Sequence, residues 1–246
     1  MDGNTIRYNV LLGVDSLFSG TSPGYNDRQI SSIINRAQRR VFRDRAKLFD
    51  TNEKIKSMLS PLLKRASYVD HSLSAQKINA TTDVTIIDFP HTITGYIVGK
   101  FLTLPSESNF IVEETAKITK SAVTTQVNIV LPITYDYINK NYKNRYKKPS
   151  VDLIWRLDAK LESSKRVVEL VLPEGYTVND YIVSYLKYPV DIVVDTKSPF
   201  TNLTSCEITD PSFNDEIIGE AIKIITASLN DSSYEIEAAE KKFDEN

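Results

Sequence analysis

The chain has 246 residues, enough for one large domain or two small ones, and its 41% apolar and 25% charged residues are those of an ordinary globular protein. Its single cysteine, Cys206, excludes an intrachain disulfide, and no apolar run approaches the ~20 residues of a membrane-spanning helix. The formal net charge of −2 is the near-cancellation of two strongly charged regions of opposite sign.

The opening MDGNTIRYNVLLG lacks a basic start followed by a long apolar run, so no signal peptide is expected, and the chain reads as made and assembled in a cytoplasm. Residues 1–25 read as an irregular N-terminal arm, turn-rich at SGTSPGYN. Asn26, three residues before Gln29, forms a capping-box pattern that opens a helix. Ile30, Ile33, Ile34, Ala37, Val41 and Phe42 then recur at helical spacing to about Leu48. Asp50 and Glu53 repeat the box ahead of Ile55, Met58, Leu59, Leu62, Leu63 and Ala66, an apolar face that Pro61 should kink or break.

From about residue 78 to 200 the period changes to two. Val123, Thr125, Val127, Ile129 and Leu131 alternate with Thr124, Gln126, Asn128 and Val130, and Val151, Leu153, Trp155 and Leu157 with Asp152, Ile154, Arg156 and Asp158. Further strands are expected at 84–89, 93–104, 110–118, 165–172, 178–188 and 190–194. Strands do not alternate with long helices, so the expected class is α+β: a mainly antiparallel sheet or sandwich with helices at both ends. A C-terminal helix opens at Asp210-Pro211 and carries Phe213, Ile217, Ile218, Ala221, Ile222, Ile225 and Leu229 on one face. Asn230–Ser233 should end it, leaving an acidic tail over 231–246 and one domain over 26–230.

Sites for chemistry are not evident. His71 and His91 stand apart from each other and from Cys206, so no metal site, cofactor or Cys-His nucleophile is expected. Glu113 and Glu114 are adjacent on a strand and must point to opposite faces. No phosphate-loop, dinucleotide, serine-hydrolase or zinc-protease motif occurs. The chain is not expected to be an enzyme.

The charge pattern is more informative. Arg28–Arg65 holds eleven basic residues against three acidic ones, a net +8, and Glu207–Asn246 holds three against eleven, a net −8. Two solvated helix faces would account for this, and so would complementary surfaces within one chain or between neighbours. The second reading places Arg36, Arg40 and Arg43 near a subunit or partner interface. Lys140, Lys143, Arg145, Lys147 and Lys148, interleaved with tyrosines, form an expected exposed loop between strands that suits a DNA or partner contact.

Several stretches resemble one family in the same order along the chain: SGTSPGYNDRQISSIINRAQRRVF, NEKIKSMLSPLLK, IWRLD at 154–158, YIVSYLKYPVDIVV at 181–194 and CEITDPSFNDEIIGEAIKIITASLND at 206–231. They are similar to structural ring proteins of crAss-like phages of gut Bacteroidales. Where that family's pattern has a basic residue before the proline, this chain has Tyr188 before Pro189. The resemblance implies a virion protein without catalytic residues. It further implies a head-tail connector subunit that forms a homo-oligomeric ring, twelvefold to match a portal. Portal, neck and tail proteins would be its neighbours, with passing DNA in the channel and no membrane. A β-sandwich module for glycan or protein and a nucleic-acid-binding protein are the alternatives, with an unrecognised hydrolase last.

Overall fold

The computed structural model of the protein describes residues 1–18, 24–69, 85–87, 92–93, 95–108, 110–121, 123–127, 129–159, 166–194 and 206–244. Helices are α1 (Gly3–Phe18), α2 (Asp27–Ala46), α3 (Glu53–Leu59), α4 (Tyr135–Asn141) and α5 (Pro211–Asp244). Strands are β1 (Leu63–Val69), β2 (Thr85–Ile87), β3 (Thr92–Ile93), β4 (Ile97–Leu104), β5 (Phe110–Lys120), β6 (Val123–Val127), β7 (Ile129–Pro132), β8 (Leu153–Ala159), β9 (Arg166–Pro173) and β10 (Thr177–Leu186). The chain divides into two compact units, Met1–Leu62 with Tyr188–Asn246, and Leu63–Lys187. The class is α+β, as expected from the pattern.

In the helical unit, α2 begins as its sequence dictates. Asn26 Oδ1 accepts from Gln29 N at 2.9 Å and Gln29 Oε1 accepts from Asn26 N at 3.0 Å, closing the capping box. The second box fails: Asn52, not Asp50, caps α3, accepting from Lys54 N at 3.0 Å and Ile55 N at 3.3 Å. Pro61 lies in a 3-10 turn, Ser60–Leu62, after which the chain becomes β1, so Leu63 and Ala66 belong to a strand. The residues expected to be irregular at 1–25 include α1. Asp2 caps it by accepting from Thr5 N at 2.7 Å, a bond that also holds the Asp2 carboxyl below its ordinary range. Ile6, Val10 and Val14 form its buried stripe. The expected stop at Asn230–Ser233 is likewise absent, and α5 runs on through it.

α1, α2 and α5 pack together around Ile30, Ile34, Ala37, Phe42, Phe213, Ile217, Ala221 and Ile225, all buried. Ile33, Ile218 and Ile222 are only half-buried. An added Cβ at Gly13 would stand 2.3 Å from Ile222 Cδ1, so the missing side chain lets α1 approach α5.

The β unit is a two-layer sandwich. One sheet has the order β1-β10-β5-β6 and the other β2-β4-β9-β8-β7, with β3 also on β4. Leu102, Leu104, Ile118, Ile154, Val168, Leu170, Leu172, Tyr181 and Val183 fill the layer between them. β9 passes to β10 through Pro173–Tyr176, where Tyr176 N donates to Pro173 O at 3.2 Å and Gly175 takes φ +80°, the residue a type II turn requires at its third position. Pairing is antiparallel except between β7 and β8, which are parallel and joined through α4. On the outer face of the second sheet Trp155, Leu157, Val171 and Ile97 pack with Ile138 of α4, which explains why β8 and β9 are buried on both faces.

Candidate interaction surfaces

His71 and His91 lie outside the described residues. Among the described residues no group of histidine, cysteine and carboxylates could hold a metal ion, and no helix is long and apolar enough to cross a membrane. Cys206 is buried with Gln38 Nε2 3.9 Å from its sulfur, and burial pushes its thiol up. The Glu113-Glu114 pair splits between faces. Glu113 is exposed, while Glu114 turns inward, accepts from the Tyr181 hydroxyl and lies 3.5 Å from Arg156 Nε. Burial raises the Glu114 carboxyl against the pull of Arg156 and Tyr181, and raises the Tyr181 phenol well above its usual value, Glu114 adding to that shift.

The most charged surface lies on α2. Ser32, Asn35, Arg36, Arg39, Arg40 and Arg43 share one face because they recur at three- and four-residue spacing. With Asp191 they line an open groove of about 570 Å³. Asp191 belongs to the extended segment Tyr188–Val194, which the sequence pattern presents as a strand and which instead docks along the helix. Asn35 bonds both polar groups of Ile192, receiving its N–H at 2.7 Å and donating to its carbonyl at 3.0 Å. Val194 N donates to Ser31 Oγ at 3.1 Å. Arg39 reaches both oxygens of Asp191 at 2.8 and 3.0 Å. Tyr188 packs its ring on Phe42 at 5.2 Å and accepts from Arg43 Nε at 3.2 Å.

The three interface candidates therefore differ. Arg40 pairs with Glu220 at 2.6 Å, and Arg45 beside it holds both oxygens of Glu216, so part of the charge split is satisfied between α2 and α5 of one chain. Arg43 is bonded to Tyr188. Arg36 is exposed and makes no ion pair or hydrogen bond among the described residues. Asn35, Tyr188 and Asp191 were missed at the sequence level; each acts through a partner about 150 residues away in the chain.

The second candidate surface, residues 139–148, is not a simple loop: it starts in α4 and continues in turns. Lys140 pairs with Asp136 at 2.6 Å, and Lys143 Nζ lies 5.4 Å from the Tyr142 ring centroid. Lys140, Lys143, Arg145 and Lys147 are exposed, Lys148 is half-buried, and Tyr146 is 90% exposed. Tyr137 and Tyr142 instead turn inward, onto Trp155 at 5.6 Å and Tyr96 at 5.5 Å.

Residues 7–237, spanning both units, match the family described as phage tail ring protein 3/4. The chain belongs to that family. It is also 24% identical over 224 residues to "Ring protein 4/5" of Bacteroides phage crAss001, a match covering 87% of each chain. The chain is thus a ring protein of crAss-like phages and a structural component of the virion.

Proposed function

We propose that this ring protein is a subunit of the head-tail connector, forming a homo-oligomeric ring, twelvefold to match a portal, around the channel through which DNA leaves the head. Its neighbours along the axis are the portal and adjacent neck or tail proteins. No reaction is assigned to it. The observation that carries this reading is the family match across almost the whole chain together with the groove of four arginines, whose charge is only partly offset by Asp191 and Glu220 among the described residues.

A closed ring needs heterologous contacts, in which one patch meets a different patch on the next subunit. Arg36, Arg40 and Arg43 belong to one such patch. Exposed ion pairs contribute only about 0–1 kcal/mol each, so these charges set orientation and assembly rate rather than hold the ring alone. The segment carrying Lys140, Lys143, Arg145, Lys147 and Lys148 contacts DNA or a partner, and exposed Tyr146 among cations favours DNA, since a free aromatic ring can stack on a base. Reconstruction of the intact virion tests the assignment: density for this chain as a ring at the head-tail junction is expected, and its absence there would overturn it.

A further inference from the structure

We propose that the arginine groove on α2 receives the acidic C-terminal segment, residues 231–246, of an adjacent copy of this chain; the inference rests on the ring reading above. The groove lining holds four arginines against one aspartate, and Arg36 is without a partner among the described residues. Residues 231–246 hold six carboxylates (Asp231, Glu235, Glu237, Glu240, Asp244 and Glu245) against Lys241 and Lys242, a net −4.

The ion pairs between α2 and α5 indicate which copy supplies the occupant. Arg45 meets Glu216 and Arg40 meets Glu220, so the two helices run antiparallel and nearly in step. Moving from Arg40 back to Asp27, where α2 starts, covers about 20 Å at 1.5 Å per residue, and the same distance along α5 reaches about residue 233. α5 continues to Asp244, about 16 Å farther, beyond the start of α2. The groove runs along Ser32–Arg43, which on this register lies beside about residues 217–228 of α5, short of its acidic end. A chain's own acidic end therefore points away from its own groove and would have to unwind and reverse to enter it. The end of a neighbour's α5 needs no such reversal. A groove on the flank of the bundle and a ligand at its tip are different patches, as a ring requires.

The test uses the full chain. Sedimentation velocity at low and high salt is run on wild type, R36E/R43E, E235K/E237K/E240K and the combined five-site variant. Among the described residues Arg36 has no bond to lose and Arg43 loses one bond to Tyr188, so R36E alone serves as the second variant, with circular dichroism and melting temperature reporting the fold. Each charge-reversal set is expected to weaken assembly about tenfold or more, and the combined variant to restore it, because like charges brought together are strongly disfavoured and swapped charges are not. Rings unaffected by either set would overturn the proposal and leave the ring reading standing. So would loss of duplex-DNA binding in R36E/R43E with no change in assembly, which would make phosphates the occupant. A wild-type chain that does not assemble would overturn the ring reading itself.

Discussion

The buried Glu114–Arg156–Tyr181 cluster gives a prediction whose sign is not the intuitive one. Glu114 and Arg156 are 7% and 8% exposed, so both charges have lost nearly all their water. Their contact is loose, with Nε 3.5 Å from Oε2, and Arg156 Nε and Nη1 have no hydrogen-bond partner among the described residues. Coulomb attraction must therefore offset two desolvation costs without good hydrogen bonds to help. R156M alone should destabilise by about 3–5 kcal/mol, because it leaves a buried carboxylate without its nearest cation and with the Tyr181 hydroxyl as its remaining side-chain donor among the described residues. The double replacement E114L/R156M removes both costs, and should lie within about 1 kcal/mol of wild type or be more stable than it. Urea denaturation of the four members of the cycle, with slopes compared to confirm a common unfolded state, measures this. A double variant that loses the sum of the two single losses would refute the reasoning, since the two side chains would then be uncoupled and each would stabilise the fold on its own.

Ile225→Ala, at a fully buried position on α5, should cost about 2–5 kcal/mol by thermal or chemical denaturation, and half-buried Ile222→Ala clearly less. Asn26→Ala opens the capping box of α2 and should cost about 1 kcal/mol in the same assay. Gly3→Ala should cost about 1–3 kcal/mol, because its Cβ would fall 2.6 Å from the Val193 carbonyl, backbone pinned by Asn35 and Ser31. Gly13→Ala should be much milder, since its clash is with the swinging end of Ile222 and alanine favours a helix by about 1 kcal/mol. The raised Glu114 carboxyl means the folded state binds that proton more tightly than the unfolded state. Its contribution is present below the ordinary carboxylate range and is lost as pH rises through the folded value, so the stability of E114Q relative to wild type should improve over that interval.

Local signals in the sequence were largely legible. The Asn26 box needs only residues three apart, and the proline at the start of α5 is a one-residue signal, so both read correctly. The alternation at Leu153–Leu157 likewise survives in β8 because both faces of that strand are packed. α1 was missed because its stripe of Ile6, Val10 and Val14 is diluted by Gly3, Gly13 and exposed Leu12 and Leu17. β1 was read as helix because Leu62, Leu63 and Ala66 fit helical spacing, and only the register Ala66↔Val183 decides otherwise. α4 lay hidden because it is short and runs into the basic segment, with Ile138 as its one buried apolar residue. At the candidate groove the arginines were visible in the sequence. Their partners Asp191, Tyr188 and Glu220 were not, because each pairing spans about 150 residues or more and local pattern carries no trace of it.

The central claim is that this chain closes into a ring of identical subunits. Native mass spectrometry of the purified full chain tests it most directly. The account predicts a closed oligomer of one fixed stoichiometry, twelve subunits, that loosens as salt rises. A monomer, or a two-fold dimer insensitive to salt, at the same concentrations would contradict it.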